Sequence, residues 1–513
     1  MTGRRQDAAL LGLDIGTTSC KVVAYGGDGR RLAQAARGYA LLHPQPGWAE
    51  LDPDDILAAV AAVLAEVAPA LAGFERVAMA ISAQGEAFVL VDADGRAASM
   101  VPVSVDMRGR AAIEAMKADP VALAAASSAG QQLTALTSLA KLLWFRDAPG
   151  SPLDRADQAL CVGEFVMRHF GLVPVMDHSM AARTGLLDMR RRFWSGPLLA
   201  AAGLPARLLP ALAPAGSFVG TVPAARMAGA GIDHDVDVYA GGHDQACAML
   251  GAGVTDDRTA LYSIGTTEAI GVPASGFRDD LADLHIAPYP HVVEGRTVIL
   301  FGSQHGGRVL PWLAGLLGRD GQPLIPAGLP DAPSRIVVVP HLAGSGTVLA
   351  DDDATATVLG LGYGTSPEVL VHAALEGITF EQGLGLARLA GRGITPARLR
   401  AVGGGTRSDV WMQMKSDILG VPIDVLDEPD TACAGAAVLA GVGAGIFASA
   451  EEAAARLVQV DRQFAPRPEH RAIYALKQEL YRRTYEATAS LRPLVHELEQ
   501  ALARMAGNTE ETD

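Results

Sequence analysis

Leu10-Leu11-Gly12-Leu13-Asp14-Ile15-Gly16-Thr17-Thr18-Ser19-Cys20-Lys21 is the stretch on which the reading of the fold turns. An apolar, strand-like run ends on Asp14, glycine and two hydroxyl residues follow, and a second strand-like run begins at Lys21. Such a turn leaves backbone N–H groups and threonine hydroxyls free at a tight bend, where they can hold a phosphate. The carboxylate beside it suits a metal ion, since hard cations prefer oxygen ligands. A second copy, Tyr262-Ser263-Ile264-Gly265-Thr266-Thr267, comes about 250 residues later. Either Gly-Thr-Thr alone reads equally well as an ordinary hairpin turn. Two of them, each after an apolar strand, predict one nucleotide held between two similar halves.

The 513 residues are too many for one core and divide most simply into two domains, with room for a helical tail. Apolar residues make up 49%, and Gly and Pro are spread throughout, which is a globular pattern and not a disordered one. A net charge of −15 argues against nucleic acid or an anionic membrane as the main partner and fits a small neutral ligand. Cys20, Cys161, Cys247 and Cys433 are scattered, with no CxxC and no His–Cys spacing for a metal. They predict a reducing cytoplasm, without disulfides or zinc. Arg4-Arg5 before Ala8–Leu13 has the look of a leader, but Asp14 breaks the apolar run and no cleavage site follows. Thr431–Ala450 is uncharged and long enough to span a bilayer. Its Ala and Gly content predicts instead a soluble helix packed closely on a sheet.

Outward from the opening stretch, Leu10 to Ala40 reads as an antiparallel meander with a turn at Gly26–Gly29. Asp52-Pro53-Asp54-Asp55 announces a helix over Ile56–Leu71. A strand over Val77–Ile81 precedes Gln84-Gly85-Glu86, and a hairpin is expected from Ala87–Val91 through Asp92–Gly95 to Val101–Val105. Arg110 to Arg146 reads as helical, Cys161–Phe170 as a short helix, and Asp177 to Trp194 as a connection whose Arg190–Arg192 run faces water. A strand over Val236–Gly242 runs into His243-Asp244-Gln245 and a small-residue helix. In the second half the expectations are strands near Thr259–Ile264, Thr297–Phe301, Arg335–Pro340 and Leu399–Val402 and a long amphipathic helix over Glu368–Leu389. Gly403-Gly404-Gly405 then opens a helix over Val410–Leu419, and a strand over Val421–Val425 comes next. Glu469 to Met505 reads as one or two amphipathic helices forming a structural cap.

Four groups of residues have the chemistry of a site. Asp14 with its turn is one, because a carboxylate at a strand end inside a cleft needs a cation or donors. Gly403–Gly405 lets a flat ligand or phosphate approach the backbone where a helix supplies N–H donors, although a tight structural turn reads the same. It is not GxGxxG, and no Walker motif occurs. Asp244 suits a general base that takes a proton from a hydroxyl, or else an N-cap; His243 reads as structural. Gln84, Glu86, Asp106 and Arg108 mix donors and acceptors as a polyhydroxylated ligand requires, the plainer reading of Asp106 and Arg108 being a surface pair.

These residues, in this order, resemble the FGGY family of carbohydrate kinases, within the actin/hexokinase/Hsp70-like superfamily. The resemblance runs from Leu11 to about Phe447. It rests on Asp14–Thr18, Pro46–Pro53, Gly242-His243-Asp244, Ile264–Thr267, Pro340–Gly344, Ala374–Ile378, and Gly403–Ser408 through Gly435-Ala436-Ala437. It implies an α/β protein of two ribonuclease-H-like, actin-like ATPase domains, with mixed sheets flanked by helices and a cleft between them. Residues 1–253 would carry the sugar and the catalytic base, 254–465 the nucleotide, and 466–513 a helical tail on the second domain. It further implies transfer from ATP with Mg²⁺ to a sugar or polyol hydroxyl, in the cytoplasm, with a homodimer as one candidate assembly.

Carried over by position, Asp244 is the catalytic base and Asp14 orients Mg²⁺ through water. Gly16, Thr17, Thr18, Lys21, Gly265, Thr266 and Thr267 surround the phosphates, and Gly404, Gly405 and Ser408 lie toward the adenosine. Gln84, Glu86, Asp106, Arg108, Asp244 and Gln245 face the acceptor. Xylulokinases of the family typically carry Met-His-Gly, and glycerol kinases Gln-Arg-Glu, where this chain has Gln84-Gly85-Glu86. Glycine in place of arginine removes a donor and is expected to open volume for a substrate longer than glycerol. A pentulose, hexulose, sugar acid or four- to six-carbon polyol fits that expectation. The competing classes are a nucleotide-dependent interaction protein and a silent sugar sensor of the same superfamily.

Overall fold

A computed structural model describes residues 7–319, 332–428 and 430–507; Arg4 and Arg5 lie outside the described residues. The opening stretch folds as read. β1 (Ala8–Ile15), β2 (Ser19–Gly26) and β3 (Arg31–Gly38) form an antiparallel meander. β4 (Arg76–Ala83) lies parallel to β1, β5 is Phe218–Val222, and β6 (Val236–His243) lies parallel to β4. The first sheet has the order β5-β6-β4-β1-β2-β3. Register sets Asp14 beside Ser82 and Ser82 beside Gly242. Three parallel strands therefore end together, and the loops beyond their carboxyl ends form one edge of a cleft.

The second half repeats this plan. β7 (Thr259–Ile264) is antiparallel to β8 (Glu268–Ser275) and parallel to β11 (Arg398–Val402), with β9 (Tyr289–Pro290) and β10 (Arg296–Ser303) on one side. β12 (Ile423–Leu426) and β13 (Val460–Phe464) complete the order β9-β10-β8-β7-β11-β12-β13. The two Gly-Thr-Thr turns thus occupy equivalent corners. Each glycine N–H closes its turn, Gly16 onto Ser19 O at 3.0 Å and Gly265 onto Thr267 O at 3.0 Å.

Helices pack on both sheets. α1 (Pro53–Val67) starts at the Asp52 cap, whose carboxylate accepts from the Asp54 N–H. α2 (His178–Arg183) and α3 (Asp244–Gly251) follow in the first half; α4 (Pro367–Ala390), α5 (Asp409–Leu419), α6 (Thr431–Gly443), α7 (Arg471–Thr488) and α8 (Arg492–Gly507) follow in the second. α6 is the small-residue helix, and it packs against β1, β4, β6 and α3 although it comes late in the chain. The approach is as close as its composition predicts. A Cβ placed on Gly12 would fall 1.8 Å from the Cys433 carbonyl, and one on Gly435 would fall 1.9 Å from that of Cys247.

Four local expectations are corrected. Phe88–Val91 pairs with Gln158–Cys161 and Val101–Pro102 with Glu50–Leu51, so the Ala87–Val105 hairpin does not form beyond a bridge at Val91 and Ala97. All four residues of Phe88–Val91 are buried and pair with a strand that buries Ala159, Leu160 and Cys161, while Val101, also buried, is taken up by Leu51. Arg110–Arg146 breaks into Arg110–Ala118, Pro120–Ala129 and Ser138–Asp147, stopped by the Asp119-Pro120 start and the left-handed Gly130 cap. The Asp177–Trp194 connection contains α2, capped by the Asp177 carboxylate. α4 is buried on every side from Val371 to Gln382, so it is a core helix and not an amphipathic one.

Candidate active site

Asp14 ends β1 half-buried at the cleft, and its Oδ1 accepts 2.7 Å from the Ser82 hydroxyl. Burial pushes its pKa up to about 6, against the pull of Ser82 and Lys21. The turn beyond it is braced by Gln84, which accepts from the Thr17 hydroxyl at 2.9 Å and donates to Gly16 O at 3.2 Å. Both ends of the Gln84 amide are therefore used on the Gly16–Thr18 turn. Thr18 stays exposed. Lys21 is engaged 2.6 Å from Asp430, an ion pair that joins β2 to the start of α6.

Asp244 is the first residue of α3, and its pKa is raised to about 8 by burial and then by the negative charges of Asp14 and Glu86. The cap position belongs to His243, which makes no side-chain cap bond, so the N-cap reading of Asp244 does not hold. His243 lies 3.1 Å from Asp244 Oδ1 through Nε2 and 3.1 Å from the Tyr289 hydroxyl through Nδ1. Burial and the nearby Arg183 drive its pKa well down, so it is a neutral imidazole that bridges the two halves. Gln245 follows half-buried on the same turn.

Gly85 does not open volume, which corrects the expectation drawn from its missing side chain. A Cβ there would meet the His243 ring at 2.9 Å and Arg183 Cγ at 3.2 Å. Arg183, from the end of α2, fills the space and pairs with the Glu86 carboxylate. Glu86 reaches this position from a left-handed backbone (φ 64°), which is costly for a residue with a Cβ. The Arg183 guanidinium lies 5.2 Å from the centre of the Tyr289 ring, and its Nε is buried without a hydrogen-bond partner. Arg183 was missed in the sequence because it ends a six-residue helix far from Glu86 along the chain. A donor absent at Gly85 was the one signal that another had to exist.

Asp106 and Arg108 are brought together, but as a buried pair and not a surface one. Asp106 Oδ1 accepts from Arg108 Nε at 2.8 Å and from its N–H at 3.0 Å, while Oδ2 takes Ala49 N–H and Arg108 Nη2, both at 2.7 Å. Arg108 also bridges to Glu50 at 2.5 Å and stacks 3.9 Å over Trp48. These groups fix the loop around Pro46–Pro53 and have their polar atoms committed. Lys141 lies buried behind them on Ser104 O at 3.1 Å, with burial lowering its pKa to about 8.

Across the cleft, Gly265, Thr266, Arg308, Gly404, Arg407 and Trp411 line a cavity of about 920 Å³. Gly403 has φ 98°, and a Cβ on Gly405 would meet Ile264 Cγ2 at 2.3 Å, whereas nothing lies within 4 Å of one on Gly404. Gly404 is the open floor of the cavity. Ser408 caps α5, its hydroxyl accepting from Trp411 N–H at 3.2 Å. Thr266 and Thr267 are exposed at the rim, with the turn held by Gly307 N–H on Gly265 O at 2.8 Å. A second cavity, about 410 Å³, is lined from both halves, by Gln131 and Arg183 on one side and Thr267, Glu268 and Ser303 on the other.

Duplicated Gly-Thr-Thr turns on two like sheets, with Asp14 and Asp244 at strand ends of the first and a glycine-lined cavity on the second, define the actin-like two-domain class. Residues 9–251 match the N-terminal domain of the FGGY family of carbohydrate kinases and residues 260–444 its C-terminal domain, and the chain belongs to that family. It is an enzyme of the kinase class that acts on alcohol groups. The chain is 31% identical over 490 residues to a glycerol kinase of Methylibium petroleiphilum, covering 89% of this chain and 95% of that one. It is 25% identical over 503 residues to a xylulose kinase of Bacillus subtilis, covering 94% and 97%. In fold it superposes on the ligand-bound xylulose kinase from Lactobacillus acidophilus with a TM-score of 0.86 at 23% identity, covering 95% and 100%. For the glycerol kinase from Plasmodium falciparum with ADP the TM-score is 0.82 at 20% identity, covering 93% and 98%. Among the described residues no helix is long and apolar enough to cross a membrane.

Proposed function

We propose that the protein transfers the γ-phosphoryl group of ATP to a hydroxyl of a small neutral sugar or polyol, with Asp244 as the general base. The observation that carries this reading is the cluster of Asp244, Asp14, Glu86 and Arg183 at the strand ends, in which Arg183 Nε is buried and unpartnered. A buried donor without a partner is costly, and an acceptor hydroxyl would satisfy it. The Arg183 charge is met by Glu86, while Asp14 and Asp244 add negative charge. That balance favours a neutral acceptor over a sugar acid.

Gly16, Thr17 and Thr18 would hold phosphate oxygens from one side, and Gly265, Thr266 and Thr267 from the other. Gly404 and Gly405 would lie along the adenosine, with residues to 253 carrying the acceptor and residues from 254 the nucleotide. Magnesium, when bound, neutralises phosphate charge. The half-buried Asp14 carboxylate fits it, and with no group of three or more metal-ligating side chains among the described residues, Asp14 would act through water. Asp244 accepts the hydroxyl proton as the oxygen attacks, and Arg183 and Glu86 hold the remaining hydroxyls. Four buried free cysteines among the described residues suit a reducing cytoplasm.

The test is a coupled ADP-release screen across ketoses, alditols and aldonates, with the product position read by NMR. Neutral acceptors should turn over and aldonates should be poor. Asp244→Asn should keep ATP binding and lose at least about 10²-fold in kcat; near-normal turnover would sink the assignment.

A further inference from the structure

A polyphosphate in the large cavity of the second half needs positive charge, and the basic residue expected beside it is otherwise engaged. The chain carries a net charge of −15, so an anionic ligand is held only where local cations override that field. Lys21, beside the first Gly-Thr-Thr turn, is committed 2.6 Å from Asp430, and Arg183 is paired with Glu86. Two cations line the cavity itself, Arg308 and Arg407, and among the described residues neither guanidinium has a hydrogen-bond or ion-pair partner. Asp409, a carboxylate on the same cavity, is already paired with Arg462. Arg308 is placed by the glycines before it. Gly307 N–H donates to Gly265 O at 2.8 Å and Arg308 N–H to Thr266 O at 3.2 Å. A Cβ on Gly306 would fall 2.9 Å from the Gly265 carbonyl oxygen and 3.0 Å from that of Thr266, so the segment sits directly on the second turn. The Arg308 side chain therefore leaves the backbone beside Thr266 and lies exposed on the cavity wall, with the helix Val309–Leu316 behind it. Arg407 comes from the glycine wall, next to Gly404 and Gly405.

We propose that Arg308 binds the β- and γ-phosphates of the nucleotide and supplies, from the second half, the positive charge that Lys21 gives to Asp430. With ATP in this cavity, the reading on which this rests, Thr266 and Thr267 meet the phosphates and Gly404 meets the adenosine. Arg308 starts at the phosphate end of that line and Arg407 at the other. A guanidinium is planar, always charged and able to donate to two phosphate oxygens at once, which an unpartnered arginine at this point can do without first breaking an ion pair. The sequence gives no sign of this role, because Gly306-Gly307-Arg308 lies about 40 residues past the turn it rests on and matches no phosphate-loop pattern.

Isothermal titration of the full chain with MgATP and with AMP tests the assignment. Arg308→Ala should weaken MgATP about tenfold and leave AMP unchanged, with KM for MgATP rising in step and KM for the acceptor unmoved. Arg308→Lys should recover part of the loss, because the charge stays while the fork goes. Arg407→Ala should cost less MgATP affinity than Arg308→Ala. Added salt should narrow the gap between the parent and Arg308→Ala, since the contact is exposed to solvent. An Arg308→Ala protein that binds MgATP as the parent does overturns the proposal and leaves the nucleotide reading standing. Equal losses of MgATP and AMP overturn it as well, since they mark a disturbed cavity, and so does a larger loss in Arg407→Ala. A parent protein that does not bind MgATP removes both the proposal and the reading beneath it.

Discussion

Asp244 sits half-buried among Asp14, Glu86, Arg183 and His243, and its raised pKa has two consequences. As the proposed base it would work ionised, so kcat/KM for the acceptor should climb from pH 6 and level off above about 8, its folded-state pKa. For stability the sign is opposite. The folded protein binds this proton more tightly than the unfolded chain does, so the stabilisation is complete below the ordinary value near 3.8 and is lost as pH rises through about 8. Asp244→Asn should therefore raise Tm more at pH 8 than at pH 5, the difference being about 1–3 °C. Equal melting shifts at both pH values would contradict the raised pKa. Arg183→Leu should cost about 10- to 100-fold in acceptor kcat/KM, the scale of a hydrogen bond to a charged group, with ATP affinity unaltered. Sequence made Asp14, Asp244 and Glu86 legible because each sits next to a turn or strand end that announces itself. It hid Arg183, because spatial replacement of a missing side chain by a distant one leaves no local pattern, and it read the empty Gly85 as empty space.

At the level of elements, β1–β2–β3 and β7 were readable because apolar runs broken by Gly and Asp admit few alternatives, whereas β8 went unread. Phe88–Val91 was misassigned because a fully buried strand gives no alternation to say which neighbour it pairs with. α4 was misread for a related reason, its polar Glu376, Glu381 and Gln382 being buried beside its apolar residues. The small-residue α6 was read correctly, and its contact can be tested. Gly12→Ala would drive a methyl into the Cys433 carbonyl and should destabilise by about 3 kcal/mol, seen as a lowered Tm and poor soluble yield. α5 meets the second phosphate turn through Lys415, fully buried and 2.7 and 2.8 Å from the two Glu268 oxygens. Lys415→Met should cost about 3–5 kcal/mol by leaving Glu268 unpaired, and Glu268→Leu in the same chain should recover much of it. A double variant no more stable than the single would remove the ion pair as the cause.

For the whole molecule, the large cavity with its Gly404 floor lies entirely on the second half, while Asp14, Asp244, Glu86 and Arg183 all belong to the first. A phosphoryl group held over one half reaches a hydroxyl held by the other only if the two come together. The smaller cavity, lined by Arg183 from one side and Thr267 from the other, is where they meet. Contacts already join the halves: α6 on β1, β4 and β6 with Lys21 to Asp430, and, beside the smaller cavity, His243 to the Tyr289 hydroxyl, Arg183 over the Tyr289 ring, and Arg190 to Asp279. Closure would also exclude water, which otherwise competes with the acceptor for the phosphoryl group. The expectation is a smaller radius of gyration by X-ray scattering when a non-hydrolysable ATP analogue and the acceptor are both present, and not with either alone. Slower amide exchange at Gly16–Thr18 and Gly265–Thr267 should accompany it. Tyr289→Phe, which removes the 3.1 Å contact with His243, should raise acceptor-independent ATP hydrolysis relative to transfer. If scattering and exchange are the same with and without both ligands, the halves do not close, and water must be kept out by the residues lining the smaller cavity alone.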